Sequence, residues 1–231
     1  MPHNLEAPPG AERGIWTSLY RSRWDDVAAT RPIFTGDTFM KEGLDPPEAL
    51  MVLQHPCALR IDGVNLAKRL LVARVSVAPL MPAAEWTRHY KKMPLPEFDL
   101  AGSGGHSAAS FIELEVVTPG ELLPERRLLS LSQVGVNLLM QRWVHHNSRV
   151  VVPTGMFDLV TSGPFEEADL VEDWCDTALE HGVSLEDAMS DAHAWIRSEG
   201  SSGQSRQAML EDPQHRSTIR KEMRQDLKDR Y

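Results

Sequence analysis

Short apolar runs separated by proline and glycine fill the first 163 residues: 32–39, 49–55, 69–77, 110–117, 126–131 and 149–152. Their length and turn-rich borders predict six strands, and the scarcity of helical patterns between them favours antiparallel pairing over a parallel α/β layout. Gly36-Asp37 marks a bulge or tight bend inside the first run, and Asp62-Gly63 has hairpin chemistry between the second and third. In the run Phe111-Ile112-Glu113-Leu114-Glu115-Val116-Val117, alternation places both glutamates on one strand face in water. That alternation explains the carboxylate pair without an acid–base role.

Two helical patterns interrupt the body. Ser132 can cap a helix in which Val136, Leu139, Met140, Trp143 and Val144 recur at three- and four-residue steps, ending near Asn147. Earlier, Trp16, Leu19, Tyr20 and Trp24 have a spacing that predicts a short amphipathic helix with its tryptophans in the core.

After Gly163 the period changes. Leu170, Val171, Trp174, Cys175 and Ala178 form one helix face opposite crowded Glu and Asp. Ser184 with Asp187 resembles a capping box, and Leu185, Ala188, Met189, Ala192 and Ile196 make the next face. Ser201-Ser202-Gly203 reads as a flexible joint before a last helix with Pro213 near its first turn. There Ile219, Met223 and Leu227 repeat every four residues, a stripe too thin to fold alone. That tail must pack on its own domain, pair with another chain or fray.

The expected fold is therefore α+β: a small, mainly antiparallel β-barrel or bent sheet with one inserted helix, followed by an α-helical C-terminal module. The boundaries expected are an arm at 1–30, a β body at 31–162 and a helical module with its tail at 163–231.

Charge sharpens that division. The net charge of −9 is concentrated in residues 164–200, where eleven carboxylates face the single Arg197. Residues 1–163 are nearly neutral, and residues 201–231 return seven basic against five acidic side chains. Overall acidity argues against indiscriminate nucleic-acid affinity, which needs a concentrated basic face, yet leaves room for a local one. Arginine outnumbers lysine 18 to 6, the bias of a GC-rich bacterial coding sequence. The longest apolar stretch, 70–84, is broken by Arg74, Pro79 and Pro82, so a membrane partner is not expected. The first thirteen residues lack the basic start and apolar run of a secretory signal, and the two cysteines, Cys57 and Cys175, suit a reducing compartment. The expected location is the cytoplasm.

The densest polar cluster is Arg142-Trp143-Val144-His145-His146-Asn147-Ser148-Arg149 at the predicted helix exit. As a site it would bind a phosphate through Arg142 or Arg149 and move protons through His145 or His146. As plain structure, it places cations at the negative end of the helix dipole, with Asn147 terminating the helix. Arg126 and Arg127 extend the patch if the chain folds back. Arg88, Lys91 and Lys92 interleave with Trp86 and Tyr90 in a second basic-aromatic group, suited to stacking a base and holding its phosphate, or to a solvated loop. His55 and Cys57 form an H-x-C pair that His89 or His106 would have to join through folding, but two ligands do not make a zinc site, so no metal and no cofactor is expected. A small structural cysteine is the default for Cys57. The run Gly102-Ser103-Gly104-Gly105-His106-Ser107 lacks the lysine and hydroxyl of a phosphate cradle and precedes a strand, so it reads as a loop.

The run Arg31-Pro32-Ile33-Phe34-Thr35-Gly36-Asp37-Thr38-Phe39, followed by apolar strands and a later helix, resembles the opening strand of the MazF/PemK ribonuclease toxins. The resemblance implies a small SH3-like barrel acting on RNA. That family continues with a glycine-containing loop leading into an Arg-Pro pair, whereas Arg31-Pro32 here comes before Gly36-Asp37, so no catalytic residue transfers.

Two functions are expected from different classes. The first is a non-catalytic interaction protein whose acidic helical module docks another protein, with Trp174, Ile219, Met223 and Leu227 supplying apolar contact. The alternative is a nucleic-acid-binding or RNA/DNA-cleaving small-barrel protein whose anion site draws on Arg126, Arg127, Arg142, His145, His146 and Arg149. Catalytic residues are unassigned in both.

Overall fold

A computed structural model of the chain describes residues 4–41, 43 and 47–231. The fold is α+β, a seven-stranded antiparallel half-barrel sheet with helices at the C-terminal end. The chain divides into two compact units. One comprises the residues up to Val27 with Ile33–Asp158, and the other comprises Ala28–Pro32 with Leu159–Tyr231.

In the first unit the strands are β1 (Tyr20–Arg23), β2 (Thr38–Lys41), β3 (Glu48–Val52), β4 (Leu70–Ala78), β5 (Lys92–Leu95), β6 (His106–Val117) and β7 (Arg127–Leu131). Their spatial order is β1-β7-β2-β3-β4-β6-β5, so β1 and β5 are edges and the sheet stays open. Strands β4 and β6 form the long central ladder, from Leu70↔Val117 to Ala78↔His106, with a register shift between Ala73 and Arg74. Beyond that shift Glu115 takes hydrogen bonds from Lys41 and Arg74. The apolar neighbours are open to water as well, with Ile112 70% and Val116 61% exposed. This stretch of β6 therefore does not have the one dry face that alternation predicts.

Three expectations need correction. The run at 32–39 is extended only from Thr38. Gly36 sits there at φ +86°, a turn conformation that glycine adopts without strain, and donates its N–H to the Val52 carbonyl. The run at 149–152 is not a strand but the link between α3 (Gln133–Ser148) and α4 (Thr154–Glu180). Its Val152 carbonyl accepts from the Gln141 side chain at 2.7 Å. The expected Trp16–Trp24 helix is instead a 3-10 turn (Thr17–Leu19), strand β1 and a second turn (Trp24–Asp26). Trp16 is buried against Trp86, ring centroids 5.7 Å apart, but Trp24 lies at the surface on Phe98.

The inserted helix starts where expected: the Ser132 hydroxyl accepts from Gly135 N–H and donates to the Ser18 carbonyl. It is not amphipathic. Every residue from Gly135 to Arg142 is buried, polar Asn137, Gln141 and Arg142 included. The C-terminal half of the core thus carries polar groups that must find partners inside.

The second unit consists of the greater part of α4, α5 (Leu185–Arg197), α6 (Arg206–Met209) and α7 (Arg216–Arg230), together with the short segment Ala28–Pro32. Helix α4 begins before Gly163 and runs through Pro164, which a proline rule would have placed at a boundary. The Ser184 cap forms as expected, accepting from Asp187 N–H at 3.1 Å.

Candidate functional site

Helix α3 delivers the predicted cluster to its C-terminal end, but the cluster is split by burial. Arg142 is fully buried. Its guanidinium lies 4.7 Å from the Trp86 ring centre and donates to the carbonyls of Glu6 (2.7 Å) and Trp86 (2.9 Å). Burial lowers its pKa, yet at about 9 it stays charged at neutral pH. The residue therefore fastens the N-terminal segment and the Trp86 turn to α3. It is closed to any ligand. Glu6 completes that clamp. Burial alone would raise its pKa, and hydrogen bonds from Thr154 and Gln141 outweigh burial and lower it.

Arg127 is likewise interior. It pairs with Asp37 at 3.3 Å and stands over the Phe39 ring. Asp37 also accepts from Ser130 Oγ and Phe34 N–H, so this arginine serves the β2–β7 seam. Arg126 is half-buried in the turn that precedes β7. The four arginines of the expected anion site do not share a surface, because Arg127 and Arg142 are buried in different polar clusters.

What the fold does assemble is a junction of the two basic-aromatic groups, 55 residues apart in sequence. The helix ends one residue later than expected, at Ser148, and Arg149 takes the left-handed cap position at φ +61°. Asn147 instead turns its side-chain amide back onto the Trp143 carbonyl. The left-handed turn carries the Arg149 guanidinium over the Tyr90 ring, 4.4 Å from its centre. His145 meets the same ring edge-on at 5.2 Å. His146 lies 6.3 Å from Tyr90 and stacks on Trp143 at 5.9 Å, with both packed edge-on against buried Phe111. Arg88 and Lys91, on either side of Tyr90 in sequence, are exposed and have no ion-pair partner among the described residues. Residues 126–157 contain no carboxylate at all. Trp86, the other aromatic of that group, is buried and unavailable for stacking. Composition located both groups; no spacing rule could join them, since the contact depends on a left-handed arginine.

The apolar residues expected to meet a partner are used at home. Trp174, Ile219, Met223 and Leu227 all belong to the core of the second unit, with Leu170, Trp195 and Ile196. Trp174 and Trp195 pack at 5.5 Å, capped by Arg230 and Arg206 over the two rings. As partner contacts these four residues are corrected: hydrophobic closure of α4 on α5 and α7 removes them from the surface. Much of the acidic face is also paired within the unit. Arg220 reaches Glu166 (2.8 Å) and Asp173 (3.1 Å), Arg206 reaches Glu222 (2.9 Å), and buried Arg31 holds Glu172 (3.1 Å) and Asp169.

Elsewhere the expected alternatives resolve as follows. His55 caps the short helix α1 (Pro56–Leu59), its Nδ1 accepting from Cys57 N–H at 3.2 Å. Burial lowers the His55 pKa. Neither cysteine is in a disulfide: Cys57 is exposed, and Cys175 is buried, with its pKa raised by burial to about 12. Among the described residues no group of three His, Cys, Asp or Glu side chains is placed to hold a metal, and no helix is long and apolar enough to cross a membrane. The glycine-rich run folds as a loop on Asp99, which accepts from Ala101 and Gly104 N–H. No protein-family model and no curated protein matches the chain.

Proposed function

We propose that the protein binds single-stranded nucleic acid through the Tyr90–Arg149 surface of its β unit. The observation that carries this reading is the Arg149 guanidinium held over Tyr90 at 4.4 Å with His145 against the same ring. A guanidinium so placed offers its outer face to a base and its N–H groups to a phosphate, while Arg88 and Lys91 add charge to the same neighbourhood. The β unit carries 15 basic and 17 acidic side chains, so repulsion of phosphates from that unit is weak. Three cations set the expected salt response: log K should fall with log salt at a slope of roughly −2. The test is fluorescence anisotropy of the full chain with labelled single-stranded RNA and DNA. Binding at low salt with Kd of about 10⁻⁴–10⁻⁶ M, weakened at least tenfold by Arg149→Glu and by Tyr90→Ala, supports the reading. Absence of binding at about 50 mM salt sinks it.

A second reading keeps the acidic helices as a protein-docking module. It is favoured by the self-contained core of the second unit, which leaves Glu180, Glu186 and Glu199 exposed and without ion-pair partners among the described residues. The unit holds nine basic and sixteen acidic side chains, enough to steer a basic partner. Simultaneous reversal of those three glutamates to lysine should abolish recovery of a partner from the native host while Arg149→Glu leaves it intact. Equal recovery by both variants removes this reading.

A further inference from the structure

One cavity of the β unit has chemistry that the surface above does not use. It has a volume of about 120 Å³ and lies where β4 ends, against β5 and the start of β6. Its apolar lining includes Leu80, Met81, Leu95 and Ala108, and Pro79, Pro94 and Pro96 stiffen the wall. Four ionisable side chains also border it: Glu85, His89, Lys92 and His106.

Two of these four face each other. His89 Nε2 stands 3.4 Å from Glu85 one helical turn away, and both side chains are about half exposed at the mouth. The other two keep donors without acceptors. His106 Nδ1 accepts the backbone N–H of Glu97 at 2.8 Å, which places the proton of the neutral ring on Nε2. That Nε2–H has no acceptor among the described residues, and neither has the Lys92 ammonium. Ser107 cannot supply one, because its hydroxyl already donates to the Phe98 carbonyl at 2.7 Å. A cavity with an apolar wall, one idle ammonium and one idle imidazole N–H lacks a negatively charged acceptor attached to a small hydrocarbon.

We propose that this cavity binds a small organic monocarboxylate with an aliphatic tail of about three carbons. The carboxylate takes the Lys92 charge and the His106 Nε2–H, a charge-assisted pair of hydrogen bonds that inorganic anions could share. The tail lies against Met81, Pro94 and Ala108, the last two being direct cross-strand partners on one face of the sheet, and supplies the selectivity that charge alone does not. The volume limits the guest: a cavity near 150 Å³ accommodates benzene, so about six heavy atoms fit. The proline wall means that little has to be ordered on binding.

The experiment is a titration of the full chain by heteronuclear NMR, following the Ala108 and Leu95 amides, with butanoate, butanamide and inorganic phosphate. Butanoate is expected to saturate with a Kd on the order of 1 mM. Butanamide, which keeps the shape and loses the charge, and phosphate, which keeps the charge and loses the tail, are each expected to bind at least tenfold more weakly. Lys92→Met should weaken butanoate at least tenfold. His106→Asn keeps an acceptor for Glu97 N–H but deletes the Nε2 donor, so it should weaken butanoate with an unchanged melting temperature. Equal affinity for butanamide, equal affinity for phosphate, or no effect of Lys92→Met overturns the proposal, as does the absence of saturation at about 100 mM. Nucleic-acid affinity is measured separately through Arg149 and Tyr90, so failure of one proposal does not imply failure of the other.

Discussion

Arg142→Met separates a structural arginine from a ligand-binding one. The substitution keeps much of the side-chain volume and removes the guanidinium. The buried Trp86 carbonyl and the partly buried Glu6 carbonyl then lose donors now at 2.9 and 2.7 Å. Each stranded acceptor costs about 1–3 kcal/mol, and loss of the contact with Trp86 adds about 1–2 kcal/mol. Against this, the folded state no longer has to desolvate a cation, a relief of several kcal/mol per ion in a dry interior. The lowered pKa of Arg142 records that opposing cost. The net expectation is a destabilisation of about 2–4 kcal/mol, a large share of the 5–15 kcal/mol of a typical domain. Amide hydrogen exchange is the suitable assay, because the loss should begin locally. Leu5 N–H is bonded to the Thr87 carbonyl and Glu6 N–H to Gln141, so both should exchange faster before the sheet does. Urea unfolding gives the global value. A change below about 0.5 kcal/mol, with unaltered exchange at Leu5 and Glu6, would refute the clamp. Unchanged stability with lost nucleic-acid affinity would return Arg142 to the binding surface.

Two further outcomes follow from the same unit. Gly135→Ala improves helix propensity by about 1 kcal/mol, yet the added Cβ would stand 2.3 Å from the Leu19 carbonyl oxygen and 3.0 Å from Leu131 Cβ. The variant should therefore lose at least about 2 kcal/mol in urea unfolding, and a stabilised variant would contradict the close approach of α3 to that turn. Glu6 has a pKa lowered below its ordinary 4.5, so its contribution to stability is complete above that value and lost as pH falls through the lower, folded one. Thermal melts should show stability declining on the acid side of about pH 4.5, and Glu6→Gln should lower the neutral-pH melting temperature and flatten that decline. A wild-type slope in the variant would remove Glu6 from the account.

Much of the architecture is legible in particular residues. Strands β3, β4, β6 and β7 overlap apolar runs long enough to show themselves, although β6 starts four residues before its run, and the Ser132 and Ser184 caps mark helix starts to the residue. Edge strands β1 and β5 do not announce themselves, because Tyr-Arg-Ser-Arg and Lys-Met-Pro-Leu are four residues each and one contains proline. The valines at 150–152 mislead in the other direction: β-branched residues favour extension, but extension becomes a strand only if a neighbour is there to pair. For the site, periodicity gave a wet face to α3 where none exists between Gly135 and Arg142. Residues 5–7 and 152–158 border that side, through Glu6, Val152, Thr154 and Asp158, and no property of α3 alone predicts those neighbours. In the second unit the thin Ile219–Met223–Leu227 stripe chose the first of its three outcomes, packing on its own domain.

The absence of an ion pair is not in itself a sign of function. Lys68 and Arg69 in the β unit, and Lys221, Arg224 and Lys228 on α7, also have no carboxylate partner among the described residues. Exposed cations of that kind lose little by remaining solvated. Arg149 differs in that its backbone adopts a conformation uncommon for a side chain of its size, and one face of its guanidinium rests over an aromatic ring while the residue stays exposed. Lys92 differs in bordering a cavity whose other idle group is also a donor. A purely structural use of Arg149 would be to end α3, and asparagine or glycine does that at lower cost. Arg149→Gly therefore decides the matter without reversing any charge: it should leave the fold as stable or more stable while nucleic-acid affinity falls. If affinity is retained, the contact with Tyr90 is a helix cap and nothing more.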